Sequence, residues 1–209
     1  MTKAQPPTVF VVDDDEAVRN SLRLLLKAVG LPTELFRSAD EYLKAFDNGR
    51  SGCLVLDMRM PGMSGLELQE ELNRREAILP IIFITGHGDI PMAVEAMQRG
   101  ALDFLQKPFR DQELLDRINR AIEKDRAGRA LLGNRETIRA RIASLTPREQ
   151  EVLTMVAQGK ANKVIAADLD LSQRTVEIHR AHVMEKMGAN SLAHLVRMVV
   201  DAGPAPPGH

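Results

Sequence analysis

The sequence predicts an α/β domain with a doubly wound, five-stranded parallel sheet, followed by a small all-α domain. Three observations carry this prediction. Residues 8–125 alternate short apolar runs with amphipathic stretches, which is the pattern of repeated strand–helix units. From Leu145 onwards the apolar residues have helical spacing throughout. The chain has 209 residues, which is long enough for two small domains.

Five apolar runs have the length and composition of buried strands, and each is followed by a break and a helical pattern. In chain order they are TVFVV, TELF, CLVL, IIFI and LDFL. The first helix is predicted from apolar residues at helical spacing between Val18 and Val29, with Gly30 at its end. Ser38 and Glu41 have the spacing of a capping box for the second helix. Short connections in such an alternation predict a parallel sheet with helices on both faces.

The apolar pattern also predicts the domain boundaries. It weakens around Gly128 and Gly133, where arginines accumulate, and this predicts a partly helical linker. Thr146, Pro147 and Glu149 then have the spacing of a helix start. The final GPAPPGH can neither propagate a helix nor bury an apolar face. The predicted segments are the α/β domain at residues 8–125, the linker at 126–143, the helical domain at 144–201 and a disordered tail at 202–209.

Composition excludes some classes of protein. With 44% hydrophobic and 27% charged residues, the chain has the composition of a folded globular protein rather than of a disordered or fibrous one. Cys53 is the single cysteine, so an intramolecular disulfide is excluded and a cytoplasmic location is expected. Export and membrane insertion are not expected, because apolar runs stay well below about 18 residues and MTKAQPPT lacks a signal-peptide core.

The net charge of −1 is the sum of an acidic N-terminal part and a basic C-terminal part. Residues 1–125 carry 16 basic and 21 acidic side chains, whereas residues 126–209 carry 12 and 8. The basic excess lies in the predicted linker, because residues 144–201 have seven of each kind. Charge alone is therefore weak support for nucleic-acid binding.

Polar side chains follow the predicted strands at the edge where a doubly wound sheet binds its ligands. Several carboxylates in one place repel one another, and a hard divalent cation with oxygen ligands relieves that repulsion. Mg²⁺ is the expected occupant, and because it takes only one or two carboxylates, one aspartate remains as a nucleophile for a phosphoryl donor. The residues are Asp13 and Asp14 after the first strand, Asp57 after the third, Thr85 after the fourth and Lys107 after the fifth. Asp15 is expected to be a first-turn helix charge and not a ligand.

The motifs VVDDD, LVLDMRMPGMSG, ITGHGD and DFLQKPF resemble, in this order, the receiver domain of two-component response regulators, a flavodoxin-like fold. The resemblance covers about residues 8–125. It implies Asp57 as the phosphoacceptor, Lys107 as the lysine that pairs with the phosphoryl group, and Thr85 and Phe104 as a switch pair. It also implies that Mg²⁺ is held by Asp13, Asp14, Asp57 and the backbone carbonyl of Arg59.

The helical domain contains a predicted helix-turn-helix, with a first helix at 163–169, a turn at 170–171 and a second helix at 173–187. Such a motif alone is a weak signal. The succession LTPRE, GKANKVIA, LSQRTVEIHR and KMGANS, however, resembles the LuxR/FixJ-type DNA-binding domain. With GHGDIPMAVEAM in the N-terminal domain, the whole chain resembles the FixJ subfamily of transcriptional regulators.

The second helix of this motif predicts which side chains face DNA. Val176, Val183 and Met187 share one face, so the side chains on the other faces are available to the major groove. The residues predicted to contact DNA are Lys163, Arg174, Glu177, Ile178 and Ala181. Phosphate affinity is expected from a second subunit and from Lys160, Lys163, Arg174 and Lys186.

The resemblance implies a phosphorylation-controlled transcriptional regulator and not an enzyme. A sensor histidine kinase is expected to phosphorylate Asp57. The phosphorylated N-terminal domain is expected to form a homodimer through its fourth helix, fifth strand and fifth helix. The dimer is expected to bind a two-fold symmetric promoter in double-stranded DNA, with RNA polymerase as a further partner. The predicted dimerisation residues are Val94, Met97 and Gln98, and the alternative for Val94 and Met97 is a place in the core.

Two other classes remain open. One is a phosphorylation-gated protein-binding module. The other is an aspartate-nucleophile phosphatase, whose D-x-D opening Asp13 would begin, although Ala17 then stands where Thr or Val is usual and Asp57 has no role. A P-loop nucleotidase is excluded, because the sequence contains no G-x-x-x-x-G-K-[ST] motif.

Overall fold

A computed structural model of the chain describes residues 6–86 and 90–203, which form two compact units with their boundary between Arg129 and Ala130. Part of the GHGD motif and the tail from residue 204 lie outside the described residues. The elements that begin in the first unit are β1 Thr8–Val12, α1 Glu16–Ala28, β2 Thr33–Phe36, α2 Ala39–Ala45, β3 Gly52–Asp57, α3 Gly65–Arg74, β4 Ile81–Thr85, α4 Ile90–Gln98, β5 Asp103–Gln106 and α5 Asp111–Ala143. The second unit adds α6 Pro147–Ala157, α7 Asn162–Leu169, α8 Gln173–Met187 and α9 Leu192–Ala202.

The five strands form one parallel sheet in the order β2-β1-β3-β4-β5, which confirms the predicted fold class. Side chains alternate between the two faces of each strand, so Leu54 and Leu56 enter one core cluster while Cys53 and Val55 enter the other. Helices α2, α3 and α4 complete the first cluster, and α1 and α5 complete the second. Because all strands are parallel, their carboxyl ends meet at one edge, and this edge carries the predicted site.

The helix starts that were predicted from capping patterns are present. The hydroxyl of Ser38 accepts a hydrogen bond from the Glu41 N–H at 3.2 Å at the start of α2. Thr146 and Glu149 form a reciprocal capping box at the start of α6. Gly30, directly after the end of α1, has a φ of 75°, a conformation that glycine adopts without strain.

The second unit is all-helical, and its core is built by α6 to α9 together with the last turns of α5. Short amphipathic helices bury one face each, and the buried residues include Val152, Ile165, Val176 and Met187. Ile138 of α5 belongs to the same cluster. No helix within the described residues is long and apolar enough to span a membrane.

The linker differs from its prediction. Residues 126–143 are continuous helix, although Gly128 and Gly133 each lower helix stability by about 1 kcal/mol relative to alanine. Tertiary contacts offset this cost, because Arg129 is hydrogen-bonded within the first unit and Ile138 is only 3% exposed in the core of the second.

Candidate functional site

Two aspartates and a lysine converge at the carboxyl edge of the sheet. Asp57 is the last residue of β3, Asp13 directly follows the neighbouring β1, and Lys107 directly follows β5. The Lys107 ammonium donates hydrogen bonds to Asp13 Oδ2 at 3.0 Å and to Asp57 Oδ1 at 2.7 Å. Both carboxylates are buried, with exposures of 1% for Asp13 and 8% for Asp57. The structure therefore brings together three of the residues predicted from the strand ends.

Burial shifts the pKa values of Asp57 and Lys107. It raises the pKa of the Asp57 carboxyl above its usual value, and the hydrogen bond and charge of Lys107 offset this only in part. Burial also tends to lower the pKa of Lys107, but its hydrogen bonds to Asp57 and Asp13 outweigh burial and leave that pKa raised. Lys107 is therefore held in its charged form beside a carboxylate that is costly to ionise.

Asp57→Asn is expected to stabilise the first unit at neutral pH, by a few degrees in the unfolding midpoint. Because the folded-state pKa of Asp57 lies above the unfolded-state value, stability is highest when the group is protonated and falls as the pH rises through that window. Thermal unfolding of both proteins checks this, and the difference should vanish below about pH 3, where Asp57 is protonated in the folded and in the unfolded state. A lower midpoint for the variant at neutral pH would show that the ion pair with Lys107 outweighs burial.

The loop between β1 and α1 holds Asp13 by its backbone as well as by its carboxylate. The Asp15 N–H donates to Asp13 Oδ1 at 2.8 Å, and Arg19 Nη1 donates to the Asp13 carbonyl at 2.6 Å. Asp15 in turn caps α1 by accepting a hydrogen bond from the Ala17 N–H at 2.8 Å. Asp14 is exposed, so Asp13 is the buried member of the predicted acidic pair.

The predicted magnesium ligands are only partly assembled. Asp13 and Asp57 converge, and the Arg59 N–H donates to Asp57 Oδ2 at 2.8 Å, which places the Arg59 backbone beside the site. Across residues 6–86 and 90–203, no group of three or more His, Cys, Asp or Glu side chains is arranged to hold a metal ion. Mg²⁺ usually takes one or two carboxylates and keeps several waters, so the pair of Asp13 and Asp57 fits its preference in number and chemistry.

Thr85 and Phe104, the predicted switch pair, lie on the neighbouring strands β4 and β5. Thr85 is fully buried, and its hydroxyl makes no hydrogen bond to any part of the chain that the structure describes. Buried hydroxyls normally have a partner, so this one is free to bind an oxygen atom that enters the site. Phe104 is half-buried and packs against the core cluster under α2, α3 and α4.

The helix-turn-helix has the predicted form. Helices α7 and α8 are separated by Asp170, which has a left-handed conformation, and Ser172 caps α8 by accepting a hydrogen bond from the Thr175 N–H at 3.0 Å. The exposed residues include all five predicted DNA contacts, Lys163, Arg174, Glu177, Ile178 and Ala181. Lys163 and Arg174 form no ion pair with the described residues, so their charges are available to phosphates.

Two lysines that were expected to contribute phosphate affinity have internal partners. Lys160 Nζ lies 2.7 Å from Asp168, and Lys186 Nζ lies 2.9 and 2.7 Å from the two carboxylate oxygens of Glu149. Glu149 is 2% exposed, and Lys186 and the Thr146 N–H are the donors that compensate its buried charge. The phosphate contacts of Lys160 and Lys186 stay predictions, and each of these ammonium groups also has a carboxylate partner within the unit.

Two family models match the chain. One is the response regulator receiver domain, over residues 9–119, and the other is the luxR family of bacterial regulatory proteins, over residues 143–199. The chain belongs to the response regulators. Because the two models match in succession, this response regulator has the LuxR-type architecture that its motifs resemble.

Similar proteins match this chain over most of its length. Nodulation protein W of Bradyrhizobium diazoefficiens is 53% identical over 91% of this chain and 84% of its own. The transcriptional regulatory protein FixJ of Rhizobium meliloti is 49% identical over 95% of this chain and 98% of its own. The solved structure of the response regulator StyR has a TM-score of 0.85 at 47% identity, covering 94% of this chain and 99% of that one. Full-length FixJ from B. japonicum has a TM-score of 0.58 at 44% identity, covering 94% and 97%.

Helix α4 of the response regulator exposes the predicted dimerisation residues. Val94 is 49% exposed, Met97 is 39% exposed, and Gln98 is also exposed. The core positions of this helix are instead Ala93 and Ala96, both fully buried. The alternative that Val94 and Met97 belong to the core is therefore wrong, and their apolar side chains remain available to a partner.

Arginines in residues 126–143, the segment predicted as a linker, have a structural role that the sequence did not predict. Arg141 Nη1 donates to the Met187 carbonyl at 2.6 Å, and thus caps the C-terminus of α8. Nε atoms of two further arginines donate to carbonyls at the end of α9, each at 3.1 Å. These pairs are Arg135 with Asp201 and Arg139 with Ala202. A cation at a helix C-terminus also interacts favourably with the helix dipole, which explains the run of arginines.

The response regulator should lose stability in its second unit at low pH. The hydrogen bond from Lys186 and those from Thr146 hold the pKa of Glu149 at about 2. A lowered folded-state pKa contributes stability that is complete above about pH 4.3 and is lost as the pH falls through about 2. Circular dichroism melts over this range should show a smaller acid loss for Glu149→Gln than for the wild type. Glu151→Gln, at an exposed neighbour, is the control, and equal acid losses in all three proteins would contradict the prediction.

Proposed function

We propose that this response regulator is a two-component transcriptional regulator in which Asp57 accepts the phosphoryl group. The observation that supports this most directly is the convergence of Asp13, Asp57 and Lys107 at the sheet edge where β4 ends in Thr85, whose hydroxyl has no hydrogen-bond partner among the described residues. Carboxylates supply a nucleophile and a cation site, and the lysine and the hydroxyl supply donors for phosphoryl oxygens. The proposed phosphoryl source is a sensor histidine kinase.

In the proposed reaction, a carboxylate oxygen of Asp57 attacks the phosphorus atom of the donor. A new O–P bond forms while the P–N bond of phosphohistidine, or the P–O bond of an acyl phosphate, breaks and its electron pair leaves with the donor. Lys107 moves its hydrogen bond from Asp57 to a phosphoryl oxygen, and Thr85 donates its hydroxyl hydrogen to another. Mg²⁺, held by Asp13, Asp57 and the Arg59 carbonyl with Asp14 nearby, would neutralise charge on the phosphoryl oxygens.

The proposed consequence of phosphorylation is a change in the surface around α4 and β5. When Thr85 follows the phosphoryl oxygens, it vacates space into which Phe104 turns, and this alters the outer face of β5. The exposed Val94, Met97 and Gln98 then form the contact of a receiver homodimer. Light scattering of phosphorylated and unmodified protein tests this step, and equal masses over a broad concentration range would refute it.

We propose that the DNA-binding domain, residues 144–201, binds promoter DNA. The receiver, residues 8–125, controls this binding through its phosphorylation. Glu177, Ile178 and Ala181 face base edges, and Lys163 and Arg174 bind phosphates. RNA polymerase is the proposed further partner, and the cytoplasm the proposed location. A selection of bound duplexes from random sequences tests the output. Recovery of no shared motif would favour a protein-binding module instead.

Intact-mass measurement tests the phosphoacceptor. Treatment with acetyl phosphate and Mg²⁺ should add one phosphoryl group to the wild type and none to Asp57→Asn. Asp40→Asn, at an exposed position in α2, is the matched control and should be labelled like the wild type. An unchanged adduct in Asp57→Asn would refute the assignment, and sustained release of phosphate from phosphomonoesters would point to a phosphatase.

A further inference from the structure

A buried ion pair anchors α5 to the start of β3. Asp125 is 2% exposed, and its carboxylate accepts hydrogen bonds from Ser51 Oγ at 2.7 Å and from the Gly52 N–H at 3.0 Å. Arg129, one turn further along α5, donates from Nε to both carboxylate oxygens, at 2.8 and 3.0 Å. The pair therefore joins the helix that leaves the first unit to the strand that ends in Asp57.

The other two nitrogens of the Arg129 guanidinium extend this contact. Nη1 donates to the Asn48 carbonyl at 2.8 Å, and Nη2 donates to the Arg50 carbonyl at 2.6 Å. Together, Asp125, Arg129 and their partners in residues 48–52 form the outlet clamp. A lysine cannot replace this arginine without loss, because a single ammonium cannot bind a carboxylate and two separate carbonyls with the same fixed geometry.

The clamp holds α5 against a part of the sheet that has no room to shift. Gly52 has a φ of 145°, and a Cβ atom there would lie 1.8 Å from the Thr8 carbonyl oxygen. The backbones of β1 and β3 are thus in direct contact at this point, and only glycine fits. The clamp therefore attaches α5 to β3, the central strand of the sheet.

Between the clamp and Arg135, the first α5 residue that contacts the second unit's helices, the side chains of α5 are exposed. Gly128 lies between the two clamp residues, and residues 130–137 are all exposed. Helices with poor propensity and no packing partner fray in water. The next buried residue of α5 is Ile138, which belongs to the core of the second unit. Residues 126–134 therefore depend on the clamp for their helical form.

We propose that the outlet clamp keeps α5 helical where it leaves the receiver, and that this helical form is needed for the full gain in DNA affinity on phosphorylation. This inference rests on the proposed function, because it assumes that the receivers dimerise. A stiff connection keeps the effective concentration of the second DNA-binding unit high, whereas a frayed connection lowers it.

Hydrogen exchange on the full-length, unphosphorylated protein tests the structural part. Amides of residues 126–134 should exchange at least about 10-fold faster in Asp125→Asn and Arg129→Lys than in the wild type. Arg126→Gln, an exposed position on the same helix, should exchange like the wild type. Unchanged exchange in Arg129→Lys overturns the proposal. If β1 and β3 are also deprotected in Asp125→Asn, that variant is unfolded, and Arg129→Lys, which leaves Asp125 bonded to Ser51 and Gly52, decides.

DNA binding tests the coupling. In the clamp variants, acetyl phosphate should label Asp57 as in the wild type, but the gain in affinity for DNA on phosphorylation should be about 10-fold smaller. A full gain in both variants overturns the coupling role. Should the wild type itself show no gain, the proposed function fails, and the exchange measurement still decides whether the clamp holds the helix.

Discussion

Phosphorylation of Asp57 is expected to strengthen binding to a two-fold symmetric DNA site by about 100-fold. A single DNA-binding unit is a poor electrostatic binder, because residues 144–201 carry seven basic and seven acidic side chains. The structure reduces the available charge further, since Lys160 pairs with Asp168 and Lys186 with Glu149. Affinity must then come from joining two units, which turns the second contact into an intramolecular one.

Fluorescence anisotropy at one fixed salt concentration measures this effect. Wild type treated with acetyl phosphate is compared with untreated wild type and with treated Asp57→Asn, which should both bind weakly. A duplex with a single half-site is the matched control, because a dimer gains nothing there from its second unit. The same affinity of both forms for the full site would contradict the prediction. An equal gain on the half-site would show that phosphorylation acts on each DNA-binding unit separately.

The receiver pocket could be predicted from the sequence because parallel strands leave little freedom. Once VVDDD, LVLD and DFLQK are recognised as strand ends, sheet geometry places Asp13, Asp57 and Lys107 at one edge. The strand order and the hydrogen bonds from Lys107, which reaches past β4 to Asp57 and Asp13, are seen only in the structure. The direction of the pKa shift of Asp57 could not be predicted in this way, because it depends on how deeply the carboxylate is buried.

The long-range partners of charged residues escaped sequence reasoning. Glu149 was predicted as part of a capping box, and it is, but its second role as the partner of Lys186 joins residues 37 positions apart. The outlet clamp had a local signal, since Asp125 and Arg129 have the i, i+4 spacing of a helical ion pair. No prediction was drawn from this spacing, and Gly128 within it indicates a break in the helix. Local propensity is a weak guide wherever a helix is held by distant backbone carbonyls.

A fragment that begins at residue 144 is expected to fold far less stably than one that begins at residue 130. The shorter fragment matches the boundary predicted from the sequence, but it lacks Ile138, which is 3% exposed in the core. It also lacks the Arg135, Arg139 and Arg141 contacts with the ends of α8 and α9. Loss of one buried isoleucine side chain alone costs about 2–5 kcal/mol, comparable with the whole stability of a small domain.

Urea unfolding followed by circular dichroism tests this boundary. Residues 130–209 should unfold in one cooperative transition, and residues 144–209 should show little or none. In the full chain, Ile138→Ala should lower the free energy of unfolding of the second unit by about 2–5 kcal/mol. Leu131→Ala, on the same helix but 65% exposed, should change it by less than about 0.5 kcal/mol. Equal stability of the two fragments would place the start of the DNA-binding domain at residue 144 and reduce the last turns of α5 to a connection.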